Sequence, residues 1–270
     1  MPRPPELPEF EAPPINELVM GVQFNPVRGY SLIRAGEVWD LFKSEYPVVQ
    51  EQGELPPRFE TYGGGVEPFA VGFNILNSPP HPRFWFLAPG GDQLLQFQTD
   101  RFLHNWRQID GLGGEYPRFE NLFDRFRSET QRLAQYMEAL EADTFTVNQV
   151  EISYVNRIYA GDRRTLPNAG DYFRFINFGQ VDTESFGGNF RRVAVSADGK
   201  PKARFYCDVA SAQDANGAAM IVLTLTYRGA PTATSPSGAL ELIEDGRNFI
   251  VQTFADITTE AAHNKWRRTH

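Results

Sequence analysis

The densest group of side chains able to do chemistry is Asp100, Arg101, Asn105, Trp106 and Arg107. A tryptophan buries area and stacks, a guanidinium offers a planar fork to carboxylate or phosphate, and an amide adds one donor and one acceptor. Together they suit recognition rather than bond-making. The same spacing also fits a strand end where Trp106 fills the core and Arg107 pairs with a carboxylate. A second group, Arg118, Arg125 and Arg132, recurs every seven residues and so lies near one line of a helix, as a reader of phosphate backbones would. Glu129, between Arg125 and Arg132 at helical spacing, is expected to take up part of that charge through intrahelical pairs. The pairs Arg163-Arg164, Arg191-Arg192 and Arg267-Arg268 would extend a basic patch if the fold gathered them.

Other routes to chemistry are closed. The four histidines, His81, His104, His263 and His270, show no H-x-H or H-E-x-x-H spacing and no cysteine partner, so structural or surface roles are expected. Cys207 alternates with Phe205 and Val209 and reads as a buried hydrophobe. No G-x-S-x-G elbow and no phosphate-loop motif occurs. Gly63-Gly64-Gly65 leads into Val66 and a strand-like run instead of a helix, and Asp198-Gly199-Lys200 reads as a hairpin turn. No catalytic residue, metal ligand or cofactor is assigned. An all-carboxylate Mg²⁺ site needs no local motif and is left open.

Composition supports the same exclusions. The 270 residues carry a net charge of −8, with 22 Arg, four Lys and one Cys. A lone thiol builds neither a disulfide framework nor a cysteine-rich zinc site and points to the cytoplasm. The acidic balance argues against nucleic acid as the main partner. No signal peptide or spanning segment is expected, hence no membrane association.

The elements that must position these residues follow from periodicity. Residues 1–14 hold six prolines and read as an extended arm. Leu18, Met20, Val22 and Phe24 alternate as a strand closed by Pro26. Leu32, Ala35, Trp39, Phe42 and Tyr46 predict a helix from Ser31 to Pro47, followed by a loop-rich stretch to Pro57. A strand-rich block is expected from Val66 to Gln108, with a hairpin about Ala88-Pro89-Gly90-Gly91-Asp92. Phe119, Leu122, Phe123, Phe126, Leu133, Met137 and Leu140 trace one face of a long helix from Pro117 to Asp143. Val147 to Tyr159 returns to strand. Further strands flank the Asp198-Gly199 turn and cover 221–227. Leu240, Ile243, Ile250, Phe254, Ile257 and Ala261 predict a last helix with a break near Thr258. The pattern is α+β, with two similar halves, 15–143 and 144–270, built of antiparallel sheets with long amphipathic helices on one face.

Four strings are more specific. They are Pro13-Pro14-Ile15-Asn16-Glu17; Gln98-Thr99-Asp100-Arg101-Phe102 running into Asn105-Trp106-Arg107; Tyr116-Pro117-Arg118-Phe119; and Val150-Glu151-Ile152-Ser153-Tyr154-Val155-Asn156-Arg157-Ile158. In this order and spacing the chain resembles a sporadically distributed bacterial family of about this length and of unknown function. The resemblance runs from Pro13 to Trp266 and implies one unit rather than a fusion. It implies no activity, cofactor or catalytic residue. Its scattered distribution is typical of horizontally moved genes, such as those of defence or toxin-linked systems.

The expected function is therefore a non-catalytic cytosolic protein that docks on a protein partner, with a possible place in a defence or toxin-linked system. Two alternatives stand beside it. One is a Mg²⁺-dependent enzyme using Arg and carboxylates on a phosphorylated or nucleotide substrate. The other is a nucleic-acid binder working through the Arg stripe. Oligomeric state is left open.

Overall fold

The computed structural model describes residues 3–63, 82–109, 115–141, 144–161, 165–179, 181 and 183–270. Gly64, Gly65, His81, Asp143, the Arg163-Arg164 pair and the part of the expected strand block from Val66 to His81 lie outside them, as do residues 111–114 of the Gly111–Glu115 stretch, which the sequence reads as a loop. Among the described residues the chain is mixed α+β. Nine strands form one antiparallel sheet: β1 (Ile15–Phe24), β2 (Val48–Gln52), β3 (Arg83–Leu87), β4 (Gln93–Gln98), β5 (Arg101–Arg107), β6 (Val147–Tyr159), β7 (Gly187–Val195), β8 (Pro201–Gln213) and β9 (Ala219–Gly229). Their spatial order is β2-β3-β4-β5-β1-β6-β9-β8-β7. The middle is the pairing of β1 with β6, where Leu18 faces Tyr154 and Met20 faces Ile152.

Cross-strand partners share a face of the sheet. His104 opposes Met20, Met20 opposes Ile152, and Ile152 opposes Tyr227. The helices α1 (Ala35–Asp40), α2 (Phe119–Glu141), α3 (Pro236–Ile257) and α4 (Glu260–Lys265) complete the elements. On α2, Leu122, Phe123, Phe126, Leu133 and Met137 are buried, as an amphipathic stripe requires. Phe126 stacks 6.3 Å from Phe102. On α3, Gly246 lets the helix backbone come so close that a Cβ there would sit 2.7 Å from Ile152 and Tyr227. Thus α2 and α3 cover the face that carries Phe102, Ile152 and Tyr227. None of the helices among the described residues is long and apolar enough to cross a membrane.

Four expectations are corrected. The helix predicted over 31–47 is a short 3-10 turn at Leu32–Arg34 followed by six residues of α1. Ser31 makes no side-chain cap, and the spacing of Val38, Phe42 and Tyr46 buries them without a longer helix. The stretch expected as loop after Pro47 contains β2, an exposed edge strand whose two faces are too alike in polarity to alternate. In α4 the buried alanine is Ala262; Ala261 is exposed, because the break at Thr258 resets the helical phase. The long helix starts two residues late, since Arg118 takes a left-handed φ of 71°. The remaining strands and the Asp198-Gly199 turn fall where the alternation put them.

Candidate functional site

Strand geometry divides the Trp/Arg group. Along β5 successive side chains point to opposite faces. Trp106 points toward the helices, is buried and packs 5.1 Å from the Tyr116 ring. Arg101, Asn105 and Arg107 alternate with it and belong to the other face. There, a relay of side chains crosses four strands. Arg83 donates to Gln96 at 2.5 Å, Gln96 donates to Asn105 at 2.7 Å, and Asn105 donates to Glu17 at 2.7 Å. Arg101 donates to Gln23 Oε1 at 2.7 Å and to the Pro56 carbonyl at 3.0 Å. Asp100 accepts from Gln98 at 2.8 Å, and burial raises its carboxyl above the ordinary value. Arg107 holds the Gly91 carbonyl at 3.1 Å. The five residues are not brought together as one surface.

The arginine line is spent inside the molecule. Arg118 donates to the Phe10 and Glu11 carbonyls at 2.9 and 3.3 Å. Arg125 donates to Gln93 at 2.5 Å. Arg132 reaches Glu45 at 2.9 Å and the Leu41 carbonyl at 3.1 Å, with its guanidinium over the Phe42 ring. Glu129 forms neither expected intrahelical pair. It points into the core, where it accepts from Tyr46 at 2.6 Å and contacts His104 at 2.8 Å. The stripe positions on α2 face the sheet, and Glu129 lies among them, three residues after Phe126 and four before Leu133.

His104 and His263 are both buried. Cys207 is buried on β8, and desolvation pushes its thiol up to about 12. No group of three or more His, Cys, Asp or Glu able to hold a metal occurs among the described residues.

Residues 53–62, between β2 and the undescribed stretch, lie across the sheet face opposite the helices. Leu55 exchanges hydrogen bonds with Gln98 on β4, both at 2.9 Å, and the Arg58 amide donates to Gln23 on β1 at 3.0 Å. Glu60 then reaches β8 and β9. It accepts from Arg204 at 2.5 Å, Tyr206 at 2.7 Å and Arg228 at 3.3 Å, and its side chain is only 3% exposed. Coulombic attraction and hydrogen bonding from Glu151, with the nearby Glu60, outweigh burial and raise the Arg228 guanidinium above its ordinary value.

The far edge is different. β7 ends the sheet, is nine residues long and is exposed along most of its length. Val193 and Val195 stand open, and Phe175, Phe178 and Val181 add exposed apolar surface from the preceding segment. Phe175 packs edge-on against Phe190 of β7 at 5.4 Å, which joins that segment to the strand. Arg191 lies over Tyr206 and Arg192 over Phe249. Neither makes an ion pair among the described residues, unlike Arg204 and Arg228 beside them. The sequence marked Arg191-Arg192 only as a possible patch. The exposed apolar neighbours depend on sheet order and carry no local signal.

The chain matches no protein-family profile, no curated protein and no solved structure.

Proposed function

We propose that the chain is a non-catalytic docking protein whose partner lays an extended acidic segment along β7. The carrying observation is an exposed terminal strand whose Arg191 and Arg192 make no ion pair among the described residues and stand next to Val193 and Val195. An unpaired sheet edge is a template for another strand, with main-chain bonds giving affinity and side chains giving choice. Two copies joined along this edge would bring arginines against arginines, so charge disfavours self-pairing and favours an acidic partner. The arginine line that motivated a nucleic-acid partner is spent on Phe10, Gln93 and Glu45. In this reading the two portions of chain that meet at β1 and β6 are halves of similar plan, and the second supplies the docking edge. The defence or toxin-linked setting suggested by the resemblance would make the partner a neighbouring gene product.

The test is purification of the full chain from its own host, beside the Arg191→Glu/Arg192→Glu and Val193→Lys/Val195→Lys variants. A protein retained in stoichiometric amount by the native chain and lost from both folded variants supports the reading. Recovery of the native chain alone, or equal retention by the variants, overturns it.

A further inference from the structure

A cavity of about 70 Å³ lies where the middle of the sheet meets the start of α2 and the second half of α3. Apolar side chains form most of its wall: Ile15 of β1, Leu225 of β9, Phe119 of α2 and Phe254 of α3. The proline-rich arm roofs it through Arg3, Pro8, Phe10 and Pro13. That roof is fastened. Arg118 holds the Phe10 and Glu11 carbonyls, and Phe10 bridges Arg268 near the other end of the chain.

The polar groups in this wall do not balance. Arg3, Arg118 and Arg247 line it against a single carboxylate, Glu120. Arg247 is the most enclosed, at 2% exposure, and stands on the apolar stripe of α3 between Ile243 and Ile250. One guanidinium nitrogen donates to Glu120 at 2.6 Å and another to Asn248 at 3.0 Å, while its Nε–H is buried without a partner. A buried donor left unpaired is costly unless something else satisfies it. Arg3 donates to the Leu7 and Pro8 carbonyls of the arm, and burial, then the nearby Arg247, lower its guanidinium below the ordinary value against a pull from Glu9 and Glu120. Tyr116 and Tyr154 add two phenol hydroxyls, which desolvation raises above their ordinary value. The wall thus offers surplus positive charge, an unused donor and an apolar remainder.

We infer that this cavity binds a small organic carboxylate, its charged end on Arg247 and its short apolar body against Phe119, Phe254 and Leu225. The volume admits about five water-sized atoms, which suits a monocarboxylate of two or three carbons, with the longer acids as the size control. Apolar walls distinguish it from inorganic phosphate, whose oxygens would meet hydrocarbon on most sides. This site is independent of the β7 edge and stands or falls separately.

The experiment is thermal denaturation and calorimetric titration of the full chain with acetate, propionate, butyrate and valerate. The corresponding amides, inorganic phosphate and matched NaCl are run beside them. The expected result is saturable protection by at least one carboxylate, raising Tm by about 5 °C at a hundredfold excess over Kd. Its amide should give none. Arg247→Met/Glu120→Gln, which removes both members of the ion pair, should weaken Kd at least tenfold. Arg3→Gln, placed on the roof and therefore tolerant, should weaken it about threefold or more. Three outcomes overturn the inference: no carboxylate protects beyond NaCl, the amide or phosphate binds as tightly as the best acid, or Arg3→Gln and the double variant bind like the native chain.

Discussion

His104 Nδ1 lies 2.8 Å from Glu129 Oε2, and both side chains are closed to solvent. The other carboxylate oxygen accepts from the Tyr46 hydroxyl at 2.6 Å, so one buried acid ties β5, α2 and the turn after α1 together. Removing the acid alone leaves two buried polar groups unpaired. Glu129→Leu should cost about 2–4 kcal/mol. Tyr46→Phe combined with it should cost at least ~1 kcal/mol less than the two single changes added. Urea midpoints of the four proteins decide this, and strict additivity would show that the pair is not coupled.

Glycine substitutions should have opposite signs at two helical positions. At Gly36 in α1 an added Cβ meets nothing within 4 Å, so Gly36→Ala should stabilise by about 0.5–1 kcal/mol. At Gly246 the same methyl would meet Ile152 and Tyr227 at 2.7 Å. Gly246→Ala should therefore destabilise by about 1–3 kcal/mol despite the better helix propensity. Chemical denaturation compares them directly.

Glu60 is the anchor of the segment laid across the sheet. Glu60→Ala leaves Arg204 and Arg228 without that carboxylate and should free residues 53–62 from β8. Limited proteolysis should then cut within 53–62 at least tenfold faster than in the native chain, while α2 and α3 stay resistant. An unchanged cleavage pattern would show that the contacts of Leu55, Pro56, Arg58 and Thr61 hold the segment without it.

His263 accepts from Arg268 at Nδ1, at 3.2 Å, and its Nε2 faces the Thr258 hydroxyl at 2.9 Å, an arrangement for neutral imidazole. Desolvation, then Arg268, lowers its folded pKa below 6.5, against a smaller opposing pull from Glu260. A depressed folded value means stability is full above about pH 6.5 and falls as pH drops below it. The native chain should lose more stability between pH 7 and pH 5 than His263→Gln does, as read from urea midpoints at each pH.

Cys207 should resist labelling. A rise from 9.0 to about 12 cuts the thiolate fraction at pH 8 about a thousandfold, before steric shielding is counted. Reaction with a disulfide reagent should be fast in urea and negligible in buffer. With the folded value raised, stability also falls as pH climbs above about 9, and Cys207→Val should delay that fall.

Much of the fold was legible because its signals are local. β6 alternates from Val150 through Ile152 to Tyr154, and the α2 stripe admits one buried face. β2 was missed because it is exposed on both faces and owes its existence to β3. The same alternation that defines β5 could have separated Trp106 from Arg101 and Asn105. Arg247 was also readable, as a lone cation between Ile243 and Ile250 on an otherwise apolar face. Glu60 was not, since its partners stand 144 to 168 residues away and only sheet order brings them near. Likewise, nothing local marks β7 as the last strand.

The central place of β1 also sets a clock. It is made before either of its neighbours: β5 follows roughly 80 residues later and β6 roughly 120. At about 5–20 residues per second, β1 waits about 4–16 s for its first ladder and longer for its second. Throughout that interval a strand with Leu18, Met20, Val22 and Phe24 along one side has no sheet to join. β1 is thus committed to a late closing step, and whatever shields it meanwhile governs how much of the protein reaches its native form.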